Sequence, residues 1–127
     1  SPLLITLLGI SAVFLAPVTE ELIFRGGLYR FFKARMRPIL ALVLSSALFA
    51  SLHMNLLAFL PLFCLGALFV RMYEKTGNIW VPVGVHAAFN LVTFLSLLLT
   101  AGNNGASHGD GPSAFVTNAL ATLICFW

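Results

Sequence analysis

Charge is what this sequence has least of: 9% of its 127 residues are charged and only four are acidic, against roughly 25% charged in an ordinary soluble domain. Hydrophobic residues make up 60%. A water-solvated domain is excluded, because a chain of this size leaves roughly a third of its surface exposed on folding and has too few polar groups to cover it. Cysteine is scarce as well. Cys64 and Cys125 lie inside apolar runs with neither C-x-x-C nor the spacing of a secreted scaffold, which excludes a disulfide framework and a zinc ribbon and leaves both as buried small hydrophobes. The sequence also lacks internal repeats, low-complexity stretches and polar linkers, so residues 1–127 read as a single domain. The opening stretch Pro2 to Ala16 has no basic region ahead of its apolar run and no clear cleavage site, and it reads as a span instead of a signal peptide. Since the chain begins at Ser1 with the apolar pattern already running by Leu3, the natural protein is expected to be longer.

What is present is a series of apolar segments. A membrane-spanning helix needs about 20 mainly apolar residues, and fewer where it is buried or enters only part way. The reading is an all-α, polytopic transmembrane bundle of about five to six helices: Leu3 into the Pro17 region, Pro17 to Arg35, Pro38 to His53, Leu56 to Glu74, Trp80 to Thr100, and Ser113 towards Trp127. Pro17 either starts the second helix or kinks one long helix. The net charge of +3 comes from Arg25, Arg30, Lys33, Arg35, Arg37, Arg71 and Lys75. These fall in two clusters that carry topology, not a nucleic-acid footprint. By the positive-inside rule residues 30–37 and 71–78 face the cytoplasm, and the polar run 102–112, which holds no Lys or Arg, faces outward with His108 and Asp110 as loop residues.

Ionisable groups inside such spans cost at least about 2.5 kcal/mol each on insertion scales and usually face a cavity or a partner. Glu20 and Glu21 are half of the four acids, flanked on both sides by apolar residues. Their bland explanation is a helix N-terminus after Pro17, where carboxylates favour the macrodipole. Glu21 and Arg25 are four apart and share a helix face, which predicts a structural ion pair. Glu20 points about 100° away and is left free. His53, one turn after Phe49, closes FASLHMN, while His86 and Asn90 stand four apart in HAAFN. Each has a structural alternative, the His as a satisfied core group and the Asn as a helix-joining amide. Counting about 1.5 Å per residue from the cytoplasmic turns puts Glu20 at roughly 20 Å, His53 at roughly 22 Å, and His86 and Asn90 at roughly 12 and 18 Å depth. A carboxylate, two imidazoles and an amide at overlapping depths form a set suited to hydrolysis. A carboxylate in an apolar site gains basicity and takes a proton from water, while fixed N–H donors stabilise an oxyanion.

These residues resemble the CAAX prenyl endopeptidase and bacteriocin-processing family, CPBP or Abi, of intramembrane proteases. Its E-E-x-x-x-R stands here as Glu20, Glu21 and Arg25, its F-x-x-x-H as Phe49 and His53, and its H-x-x-x-N/D as His86 and Asn90. The likeness covers roughly residues 10 to 100 with no departure at the six site positions, and three motifs in order are far more specific than one. The resemblance implies an endopeptidase site in a membrane cavity open to the cytoplasmic side, in a bacterial plasma membrane. It implies that Glu20 and His53 activate water, that His86 and Asn90 hold the oxyanion, and that Glu21 and Arg25 support them. The partners it implies are membrane lipid and a membrane-associated or lipid-modified peptide, with no nucleic acid. No cofactor is favoured. Glu20, His53 and His86 are the alternative zinc ligands, but H-E-x-x-H is absent and Asn is an uncommon ligand. Competing readings are a non-catalytic immunity or binding protein of the same fold, a haem carrier with His53 and His86 as axial ligands, and a proton-coupled transporter, ranked low for want of a repeat.

Overall fold

In the computed structural model, residues 1–105 are described. Four helices follow one another among them: α1 (Pro2–Lys33), α2 (Pro38–Leu52), α3 (Phe59–Thr76) and α4 (Trp80–Gly105). All-helical architecture stands, and of the two alternatives for Pro17 the structure shows the single long helix, so the first two predicted helices are one. Pro17 neither starts a helix nor breaks one. Two π-helical stretches, Ser11–Leu15 and Leu22–Tyr29, flank it within α1, and the wider i→i+5 register of the first lets the chain pass a residue without an N–H. At the other end, Gly102 to Gly105 continue α4, where a polar loop was expected to begin. The rest of that loop, with His108 and Asp110, the predicted last helix and Cys125 lie outside the described residues.

Local chemistry sets the remaining boundaries. Pro38 sits in the first turn of α2 behind an extended Arg37, where its fixed φ is already helical and its missing N–H is not needed. After α2 ends, Met54 takes a left-handed φ of 52°. The Asn55 Oδ1 then accepts from the backbone N–H groups of Leu57 and Ala58 at 3.1 and 3.2 Å, serving donors that α3 leaves unpaired at its start. Gly77, at φ 64°, closes α3 with its N–H on the Tyr73 carbonyl at 2.9 Å; this left-handed cap is one that glycine adopts without a Cβ clash.

α2 and α3 form an antiparallel pair. Gly66 allows their close approach, since a Cβ there would stand 3.2 Å from the Phe49 ring and 3.3 Å from the Ser46 backbone. The Leu22–Lys33 part of α1 packs on this pair, while its Ser11–Glu21 part packs on α4. Phe24, Phe49, Ala50 and Leu62 make one apolar core where α1, α2 and α3 meet, and Tyr29, Ala41 and Val70 a second.

Outside this core the surface is apolar, as with Leu3 (68% exposed), Phe14 (61%), Leu52 (64%) and Val92 (64%). Cys64, expected to be buried, is exposed, because a helix in lipid turns small apolar side chains outward at no hydrophobic cost. α1 and the Trp80–Thr100 part of α4 are long and apolar enough to cross a membrane. With 15 residues, α2 reaches only about 22 Å, short of the ~30 Å hydrocarbon thickness. Its following turn, with Met54, Leu56 and Leu57 at 91–94% exposure, is a surface built to meet acyl chains instead of water.

Candidate active site

The site begins on α1 beyond Pro17. Glu21 and Arg25, one helical turn apart, are sealed from solvent at 0% and 1% exposure. The Arg25 Nη1 donates to Glu21 Oε1 at 3.1 Å, and Nη2 donates to the Gly66 carbonyl on α3 at 3.0 Å. Three rings surround the guanidinium, Phe49 at 4.8 Å, Phe69 at 5.1 Å and Phe24 at 5.9 Å from their centroids. Their negative faces offset part of the cost of taking this cation out of water. Arg25 therefore fastens α1 to α3 and fixes the Glu21 carboxylate.

That carboxylate has a second partner. Glu21 Oε1 also accepts from His86 Nδ1 at 2.9 Å, across 65 residues of sequence. The His86 ring lies stacked on Phe69, 5.0 Å between centroids, and meets Phe49 edge-on at 6.1 Å. With Nδ1 spent on Glu21, the reactive face of His86 is Nε2, which stands 3.9 Å from Glu20 Oε2. That separation is too long for a hydrogen bond. Glu20 Oε2 is buried and has no hydrogen-bond partner among the described residues.

His53 occupies the end of α2. Its Nδ1 is 2.7 Å from the Phe49 carbonyl; a carbonyl only accepts, so Nδ1 carries the proton and Nε2 offers a lone pair in the neutral ring. The rings of His53 and His86 both contact Phe49, His53 at 4.8 Å. The Asn90 Nδ2 donates to the Ala12 carbonyl on α1 at 2.9 Å.

The structure thus joins Glu20, Glu21, Arg25 and His86 directly, links His53 to them through Phe49, and ties Asn90 to the α1 backbone. The Glu21–His86 bond, the Phe69 stack and the Gly66 acceptor are absent from the sequence reading. A lone glycine in the apolar run FCLGALF was the available signal for the last, since glycine in such a run marks close backbone approach. Among the described residues no three His, Cys, Asp or Glu side chains are gathered as metal ligands. With His86 Nδ1 on Glu21 and His53 Nδ1 on a carbonyl, each ring keeps Nε2 open, an engagement that suits a catalytic and a metal-ligating histidine alike.

A helical membrane bundle that brings two acids and an imidazole together in its interior defines the class to be matched. Residues 2–92 match the family model for type II CAAX prenyl endopeptidase Rce1-like proteins, and the chain belongs to that family. It is 30% identical over 82 residues to the "Putative membrane peptidase YdiL" of Bacillus subtilis (strain 168), a match covering 65% of this chain and 33% of the relative. The chain therefore spans about a third of the length of the curated relative it matches. No solved structure matches it.

Proposed function

We propose that this chain carries the active site of an intramembrane endopeptidase in which Glu20 activates water. The observation that carries the reading is Glu20 Oε2, buried without a partner and 3.9 Å from His86 Nε2. An acid left unpaired in an apolar bundle is costly unless it has work to do.

In the reaction, a water held by Glu20 Oε2 and the His53 Nε2 lone pair gives its proton to Glu20 as its oxygen bonds to the peptide carbonyl carbon. The carbonyl oxygen becomes an oxyanion. His86, donating from Nδ1 to Glu21 and from Nε2 outward as the imidazolium, faces that oxyanion together with the Asn90 amide N–H not taken by Ala12. Collapse breaks the C–N bond, and Glu20 returns its proton to the leaving amine. Glu21 and Arg25 hold His86 in orientation without touching substrate. No step requires a metal, and unchanged cleavage in the presence of a chelator is the expected result.

The substrate class is a membrane-associated or lipid-modified peptide, reached from the cytoplasmic side of a bacterial plasma membrane with residues 30–37 and 71–78 facing the cytoplasm. A peptide-cleavage assay in detergent tests the reading. Glu20→Gln should lower turnover by at least about 10²-fold, the lower bound for a positioned general base, at unchanged protein level. Full turnover in that variant would sink the proposal, and a biological phenotype that survives Glu20→Gln would favour a non-catalytic immunity or binding role for the fold.

A further inference from the structure

The first π turn of α1 creates a backbone acceptor that the helix itself does not serve. Ala16 donates its N–H to the Ser11 carbonyl, five residues back, where an α-helix would direct it to Ala12. In the π register the donor for the Ala12 carbonyl is residue 17, and that residue is Pro17, which has no N–H. Ala12 is 5% exposed, so its carbonyl needs a partner from within the protein. The Asn90 Nδ2 donates to this carbonyl at 2.9 Å.

We infer that Pro17 and Asn90 are a matched pair of positioning residues: the proline opens the Ala12 carbonyl, Asn90 fills it, and the bond sets the height at which His86 meets Glu20 and Glu21. His86 lies one turn before Asn90 on the same face of α4, and Glu20 and Glu21 follow Pro17 within a turn on α1. One interhelical bond therefore registers both halves of the site. The inference rests on the hydrolytic reading only in treating the His86 position as functional; the pairing itself is independent of it. A simple helix-joining amide would behave differently. A carbonyl has two lone pairs, so such a bond would be indifferent to the residue at position 17.

A double-mutant cycle on the full chain in detergent micelles separates the two. Asn90→Ala should lower the unfolding midpoint in the wild-type background and by a clearly smaller step beside Pro17→Ala, because alanine at that position restores a backbone N–H to the ladder. Equal steps would overturn the pairing, as would failure of both Asn90→Ala and the double variant to fold. The ¹⁵N resonances of His86 supply the second readout. They should move in Asn90→Ala and return towards their wild-type positions in the double variant; a lowered midpoint with His86 unmoved would overturn the positioning role. Neither readout needs peptide cleavage, so an active Glu20→Gln variant would sink the role proposed for Glu20 while leaving this pair standing.

Discussion

Two charged contacts hold α1 at opposite ends of its packing against α3, and they differ in almost everything but chemistry. At the deep end, the Arg25–Glu21 pair is at 1% and 0% side-chain exposure and extends to the Gly66 carbonyl. At the shallow end, Lys33 pairs with Glu74 at 40% and 36% exposure. Two charges taken out of water recover their desolvation cost only when geometry and further hydrogen bonds are good, whereas an exposed pair neither costs nor contributes much. The deep contact is thus valuable because its members are trapped together, and the shallow one is dispensable. What the deep pair adds is orientation: its carboxylate oxygen is also the one that holds His86.

The sharpest way to break the comparison is to remove one deep partner. Arg25→Ala leaves Glu21 buried without its cation and should cost about 3–5 kcal/mol, measured by reversible unfolding in mixed micelles. A loss of less than about 1 kcal/mol would make the deep pair no different from an exposed one. Removing both partners is the more informative variant. Glu21→Leu with Arg25→Met replaces the pair by apolar side chains and should recover most of that stability. Peptide cleavage should nevertheless fall by at least about tenfold, the scale on which a histidine's orienting partner acts. Recovered stability with full activity would remove Glu21 from the mechanism.

At the shallow end, Lys33→Ala should change stability by about 0–1 kcal/mol, and raised salt should erase what difference there is. A loss that persists in high salt would show that Lys33 acts through its aliphatic stem or through the nearby Tyr29 ring, 5.9 Å from its Nζ, and not as an ion.

The same contrast separates what could be read along the chain from what could not. Glu21 and Arg25 are neighbours on one helix, so their spacing alone predicts contact. His86 and Glu21 are 65 residues apart, and periodicity places each on a face without saying which faces meet. Membrane character was legible because it is a sum over composition. The state of Pro17 was not, because a proline in an apolar run fits a start or a kink equally well on local rules, and the carbonyl that the π turn leaves open is filled from a distant helix, by Asn90 of α4. Gly66 was hidden for another reason: its role is that of a carbonyl, which every residue has, placed where a missing Cβ lets α2 come close.

The smallest predicted effect lies between the two ends. Ser46 is 1% exposed on the face of α2 that meets Gly66, and its Oγ has no hydrogen-bond partner among the described residues. A buried hydroxyl without a partner carries its desolvation cost with nothing to offset it. Ser46→Ala removes that atom while keeping the small side chain that the helix crossing requires. Stability should stay within about 1 kcal/mol of wild type and shift, if at all, upward. A loss beyond that would mean that the hydroxyl is paired in the membrane and that Ser46 belongs with Arg25 among the residues whose removal strands a polar partner in the core.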